Sequence, residues 1–561
     1  MATNTYDAIV VGSGITGGWA AKELGEKGLK TLVLEAGRPI DPDADYAEHV
    51  PEWEVKYRGM GDRKGIDEKQ RVQQTCGGMD EWNSKFFVND KQNPYTTPQD
   101  KPFLWIRGRQ VGGRSIIWGR QSYRWSDLDF EANLREGVGV DWPIRYQEIA
   151  PWYDYVENFI GVSGQAEGLA HLPDGKFLPP MELNCAEVVV KDAIGKYFPG
   201  ERTMTIGRTA ILTQRHNGRA PCHYCGPCAR GCITRSYFSS LNSTLPAALI
   251  TGKVTVRPHS VVHSLMFDSK TRKVSGVRII DGQSKKTVEF QGRIIFVCAS
   301  ALESARILLN SATPEFPDGL GNSSGELGHN VMDHCMGGGA SGRIPGNEDH
   351  ISLGNRPNGI YVPRFRNVKQ KHPLFMRGYG FQGSASRPKW ERGVEMRGFG
   401  ANFKHALSRP GPWRMTFYGF GECLPNHENS IAIDKEKVDA WGIPTLKISC
   451  AWRENERALL KDMSITASEM LSAAGAKDIE PLLEDNAPGL TIHEMGTARM
   501  GRDPKTSVLN AHNQAHDARN LFLTDGACMA SSSCVNPSLT YMALTARACD
   551  YAVDQMKRGD L

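Results

Sequence analysis

The sequence predicts an α/β chain: a parallel, Rossmann-type nucleotide domain joined to a discontinuous substrate domain of mainly antiparallel sheet (α+β). Three observations predict it. The chain opens on strand, glycine turn, helix and strand between Tyr6 and Leu34. A strand running into a helix recurs at Arg293–Leu309 and again near the C-terminus. Residues 330 to 450 are rich in Gly, Pro and aromatics, with short alternating stretches that suit an antiparallel sheet.

The first element is an apolar strand, Tyr6 to Val11, followed by Gly12-Ser13-Gly14-Ile15-Thr16-Gly17, a helical pattern from Trp19 to Glu26, and the strand Thr31 to Leu34. Gly12 permits the tight turn, Gly14 lets backbone N–H groups approach a pyrophosphate, and Gly17 lets helix pack on strand. The helix N-terminus stabilises the anion, and Glu35, about 20 residues past the turn, is placed to accept from a ribose hydroxyl. An acid rather than Arg at 35 argues against a ribose phosphate. The motif by itself admits FAD or NAD.

Residues 40 to 104 turn polar and rich in Pro, Asp and Lys, an excursion from the first domain. Order returns at Trp105 to Trp118, where Gly108, Gly112 and Gly113 mark a second glycine segment. Three strand-like runs follow at Val254–Arg257, Val277–Ile280 and Arg293–Val297, the last leading into a helix over Leu302–Leu309.

Composition excludes several classes. With 561 residues and 40% hydrophobic content, long-range disorder is ruled out, and a prior of ~150 residues per domain allows three or four compact units or two large ones. A formal charge of +4 is too small to imply nucleic acid or another polyanion as partner. No apolar run approaches the ~20 residues needed to span a bilayer, so no integral membrane segment is expected. The N-terminus has no basic n-region or small-residue cleavage site, so no export signal is expected on this chain.

Gly108-Arg109-Gln110-Val111-Gly112-Gly113-Arg114-Ser115 resembles the first signature of the glucose-methanol-choline (GMC) oxidoreductases. Asn520 to Gly526 and Asn536-Pro537-Ser538-Leu539-Thr540 resemble that family's terminal flavin and active-site segment. Val297 to Arg306 is similar to the strand and helix that follow its second flavin contact. The matches run in order from Tyr6 to Asp550. Within the family, His493-Glu494-Met495-Gly496-Thr497-Ala498-Arg499-Met500-Gly501 most resembles pyranose oxidases and the large subunits of bacterial gluconate and glycoside dehydrogenases. The resemblance implies an FAD-binding domain of residues 1–40, 105–135, 220–330 and 490–561, carrying a Cys-rich loop at 221–233. Residues 41–104, 136–219 and 331–489 then form the substrate-binding domain and excursions. It implies cofactor contacts at Gly12, Gly14, Gly17, Glu35, Arg109, Gly112, Gly113, Ser115, Trp118, Val262, Ala299, Asp525, Gly526 and Pro537.

Carried over by position, His493 matches the family's active-site histidine and Asn536 its partner. Moving a hydride from a carbinol C–H to flavin N5 requires a base for the hydroxyl proton, a task suited to neutral imidazole. Asn536 would hold the same oxygen and stabilise developing alkoxide charge. Pyranose oxidases have a flavin-bonding histidine where this chain has Ile117, which implies FAD held non-covalently.

Cys222, Cys225, Cys228 and Cys232 are spaced C-x2-C-x2-C-x3-C, the wrapping run of a ferredoxin loop. Zinc sites separate their knuckles further. Ile233 stands where the ferredoxin run has Pro, so the spacing admits an iron-sulfur cluster of three or four irons, with unligated thiols or a disulfide as alternatives. A cluster would carry electrons to an external acceptor and so favours dehydrogenase over oxidase. Related dehydrogenases work with a signal-bearing small subunit and a cytochrome, which implies a periplasmic enzyme if so exported and a cytoplasmic one otherwise.

The functional expectation is an FAD-dependent dehydrogenase oxidising a secondary ring hydroxyl, at C3 or C2, of glucose or a glucoside. A gluconate or polyol dehydrogenase and an oxygen-using pyranose oxidase are alternatives. An electron-transfer subunit without its own substrate is the alternative from another class.

Overall fold

The computed structural model describes residues 4–50, 54, 63–352 and 354–561. Its first sheet holds β1 (Thr5–Val11), β2 (Thr31–Leu34), β3 (Val254–Arg257), β4 (Ser260–Asp268), β5 (Lys273–Asp281) and β6 (Thr287–Val297). β3, β2, β1 and β6 pair in parallel in that order, and Leu521–Leu523 adds to β6, with Leu521 opposite Ile295. β6 pairs with three strands. Its last residues lie between β1 and Leu521–Leu523, while its first half forms an antiparallel ladder with β5. Covered on both faces, β1 and β2 read as continuous apolar runs, and Ala8 to Val11 and Leu32 to Leu34 are buried.

The helix after β1, α1, spans Ile15–Glu26 and so begins a turn before the apolar pattern that announced it. Gly17 and Gly18 read locally as turn residues, but tertiary packing keeps them helical. A Cβ on Gly17 would lie 2.0 Å from the Gly12 carbonyl oxygen, and one on Gly18 2.4 Å from Thr244 Oγ1. The sequence pattern does not show strand β4, because His263 and Ser264 interrupt its apolar alternation.

The second sheet has six antiparallel strands in the order Lys477–Leu483, Cys335–Arg343, Arg414–Gly421, Tyr379–Ser386, Ile360–Val362 and Thr205–Ile206. The long helix Glu454–Ala473 covers one face. Its glycines answer to that close approach: a Cβ on Gly419 would lie 2.5 Å from Met463 Sδ. The expected mixed fold, with parallel and antiparallel sheets, is the one the chain adopts. The antiparallel region is not continuous, since between Ser386 and Arg414 the chain leaves the sheet for the short helices Trp390–Val394 and Gly400–Leu407. No described helix is long and apolar enough to cross a membrane.

Candidate active site

One cavity is lined both by the glycine turn and by Gln382 and Phe420 of the second sheet's central strands. At the turn, α1 begins on Gly14 with no side-chain cap, which leaves its first N–H groups free to face an anion. A Cβ on Gly14 would meet nothing within 4 Å, so the backbone there is bare toward the cavity. Gly12, with φ +94°, tucks against the Cys298 carbonyl instead. Glu35 accepts from Ser13 N at 3.1 Å, Ser13 Oγ at 2.6 Å and Gly37 N at 2.8 Å. Burial raises its pKa against those hydrogen bonds. Ser13 Oγ in turn accepts from Gly112 N at 3.0 Å, which ties the two glycine segments together.

Of the expected cofactor residues, Gly12, Gly14, Glu35, Arg109, Gly113, Ser115, Trp118, Val262, Ala299, Asp525, Gly526 and Pro537 line this cavity. Gly17 and Gly112 do not. Gly17 packs on Gly12, and Gly112, at φ +94°, sits against Leu241 and Ile116. The bare Gly14 backbone, the uncapped helix and the buried Tyr541 Oη, which has no partner on the cavity wall, fit a dinucleotide such as FAD. Ile117 also lines the cavity and offers no atom for a covalent bond.

The other end is polar at a few points only. His493 and Asn536 meet there, with His493 Nε2 and Asn536 Nδ2 3.5 Å apart, and Gln382 and Phe420 reach in from the second sheet. Gln382 Nε2 donates to Asn536 Oδ1 at 2.6 Å. With the two amides so arranged, the NH₂ end of Asn536 faces His493. A lone pair on Nε2 beside an N–H on Nδ2 is the pair of functions needed to take a hydroxyl's proton and hold its oxygen.

His493 is held from behind. Asp333 accepts from Gly489 N at 2.8 Å and His493 N at 3.0 Å, and also from Thr491. The strap includes Ile492 at φ 63°, a β-branched residue in the left-handed region, a conformation that costs ~1–3 kcal/mol and persists only where surroundings impose it. His334 Nδ1 lies 3.0 Å from His493 Nδ1. Next door, Arg114 grips Glu494 with two bonds, of 3.0 and 2.8 Å, a fork geometry that fixes both planes. Burial first, then His334 and Arg114, push the His493 pKa well below the ordinary imidazole value, so the ring is neutral. Burial raises Asp333 and Asp525 to about 6.

Gln382, within the strand Tyr379–Ser386, and Phe420, near the end of Arg414–Gly421, carry no local signal, because only the fold brings them to the site. The Asp333-His334 pair just before the strand Cys335–Arg343 was the one legible hint: a polar dipeptide at the start of an otherwise small and apolar strand.

The four thiols at 222–232 do not meet the cluster expectation. Among the described residues, no group of three or more His, Cys, Asp or Glu side chains is placed to hold a metal ion. Cys222, Cys228 and Cys232 lie instead against the apolar wall of Met181, Ile211 and Tyr237. No described cysteine is in a disulfide, and burial, with the neighbouring thiols after it, raises Cys222 and Cys225 to about 11.

A family model described as GMC oxidoreductase matches residues 6–336, and its C-terminal counterpart matches 425–545. The 2-methyl-1,2-propanediol dehydrogenase of Mycolicibacterium austroafricanum is 28% identical, over 97% of this chain and 94% of its own length. The fructose dehydrogenase large subunit of Gluconobacter japonicus is 25% identical over 99% of both. A crystal structure of pyridoxine 4-oxidase from Mesorbium loti shares the fold with TM-score 0.60 and 17% identity, covering 98% of this chain and 99% of that one.

Proposed function

This chain belongs to the GMC oxidoreductases, and from that premise we propose that it is an FAD-dependent dehydrogenase oxidising a secondary ring hydroxyl of a sugar or glycoside. The observation that carries the reading is the acceptor–donor pair of His493 Nε2 and Asn536 Nδ2 at 3.5 Å, opening on the cavity whose glycine end fits a dinucleotide. An electron-transfer subunit has no use for a neutral base and an oriented amide at a cavity mouth.

Gly12, Gly14 and Gly113 would lie along the dinucleotide, with Glu35 toward the adenosine ribose and Val262, Ala299, Asp525, Gly526 and Pro537 along its length. When bound, FAD supplies the two-electron acceptor for the carbinol C–H. His493 Nε2 takes the hydroxyl proton while Asn536 Nδ2–H holds the oxygen and stabilises the charge that grows on it, and Gln382 keeps that amide from turning. Phe420 gives the ring an apolar face. A dehydrogenase passing electrons to an external acceptor is supported by the two dehydrogenase relatives, one of which is the large subunit of its enzyme.

The test is turnover with a redox dye against a panel of glucose, methyl glucosides, gluconate and polyols, with the product examined by carbon NMR. A ring ketone from a glucoside supports the reading. Dye reduction by polyols alone, or by no sugar, overturns it.

A further inference from the structure

We propose that His334 is a positioning residue that fixes the tautomer of His493, leaving the proton on Nδ1 and the lone pair on Nε2. The proposal rests on the reading of His493 as base and adds the residue that makes it one.

The argument follows donors and acceptors along a chain of contacts. His334 is 1% exposed, and its Nε2 lies 3.1 Å from the carbonyl oxygen of Ser532. A carbonyl only accepts, so Nε2 of His334 carries the proton. A neutral imidazole has one N–H, which leaves Nδ1 of His334 a lone pair. Burial favours that neutral ring, pulling its pKa down to about 4. His334 Nδ1 then faces His493 Nδ1 at 3.0 Å, and one of the two must donate. The donor is His493. Its Nε2, on the other side of the ring, is left as the acceptor facing Asn536 and the cavity.

The two rings stand nearly perpendicular, at 78° with centroids 4.8 Å apart, and Phe420 flanks both. No water-facing freedom is left to the Nδ1 side. The charged groups around the pair are Asp333, which accepts from the His493 backbone N–H, and Arg114, which is held by Glu494. When the hydroxyl O–H breaks, its electron pair stays on oxygen and its proton goes to Nε2. Nδ1 keeps its own proton, and the lone pair of His334 faces the cation so formed. A backbone carbonyl in the C-terminal segment thereby sets the chemistry of a ring two contacts away.

Three variants and one spectrum test this. His334→Leu removes the acceptor, whereas His334→Asn keeps one, because Oδ1 of Asn occupies roughly the place of Nδ1. The expected result is flavin content unchanged in both, kcat down ~100-fold in His334→Leu with KM nearly constant, and most of kcat retained in His334→Asn. The acid limb of the His334→Leu pH profile also moves. Nitrogen NMR of histidine-labelled enzyme, with the His493 signals assigned by their loss in His493→Ala, shows the proton on Nδ1 in the wild type and a tautomer mixture in His334→Leu. Wild-type kcat in flavin-loaded His334→Leu, or a wild-type His493 protonated on Nε2, overturns the proposal while leaving the base reading intact. Unchanged turnover in His493→Ala overturns that reading, and this proposal with it. If His334→Leu fails to fold, the wild-type spectrum decides.

Discussion

Gln382 donates from Nε2 to Asn536 Oδ1 at 2.6 Å, and in this arrangement the amide turns its NH₂ donor toward a substrate oxygen beside His493. The residue that holds the oxygen belongs to the C-terminal segment, but its orientation is set by a strand of the other sheet, Tyr379–Ser386.

The orientation makes an ordered prediction. Gln382→Leu removes a neutral hydrogen bond worth about 0.5–1.5 kcal/mol and lowers kcat/KM about 2- to 10-fold. Gln382→Glu, ionised, can only accept, so Asn536 must turn its NH₂ toward it and present Oδ1 to the substrate. Steady-state kinetics should therefore show a larger loss for Glu than for Leu. The reverse order contradicts the assigned orientation.

The glycine turn separates binding from folding. Gly14→Ala enters open space with an ordinary φ of −67° and leaves the fold intact, but its methyl stands where the pyrophosphate would approach. Gly17→Ala puts a Cβ 2.0 Å from the Gly12 carbonyl oxygen and destabilises the protein itself. The check is the melting temperature of the flavin-stripped proteins against the flavin-to-protein ratio on reconstitution. Gly14→Ala should keep the first and lose the second, and Gly17→Ala should lose both.

The pH dependence follows from burial of His493. Its pKa lies below the ordinary 6.5, so the ring is a competent base above that value and loses activity as pH falls through the lowered pKa. The acid limb of kcat/KM should lie below pH 6.5. A limb above pH 7 would mean that the cavity does not desolvate the ring.

Asp333 gathers the N–H groups of Gly489 and His493 with the Thr491 hydroxyl. Asp333→Ala leaves these buried donors unmet at ~1–3 kcal/mol each and releases the strained Ile492. Both the melting temperature and kcat should fall. An active variant that is merely less stable would separate the strap from the chemistry.

Ile117 predicts that acid precipitation releases all the flavin to the supernatant. Yellow colour left in the pellet would require a covalent bond from some other cavity residue.

The sequence made legible what is local. Gly12 to Glu35 announced their turn because the chemistry of pyrophosphate approach is written in neighbouring residues, and His493 and Asn536 stood in motifs. The motif puts Gly112 among the expected cofactor contacts, but motif position does not say which way a residue faces, and a Cβ on Gly112 would face Leu241 and Ile116. The thiols at 222–232 show the same limit. Spacing counts residues along a loop, but ligation depends on direction, and Tyr237 and Ile211 draw three of these side chains onto an apolar wall. The roles of His334 and Gln382 are hidden for the opposite reason: each arises only when the fold brings it beside His493 or Asn536, more than 150 residues away in sequence.

The most direct test of the whole account is anaerobic mixing of the purified enzyme, wild type and His493→Ala, with a methyl glucoside while the flavin absorption is followed. The account predicts that the wild-type flavin bleaches, with attack away from the blocked anomeric carbon, and that His493→Ala bleaches ~100-fold or more slowly. A wild-type flavin that stays oxidised with the glucoside yet bleaches with dithionite, or a His493→Ala enzyme that reacts as fast as wild type, would contradict it.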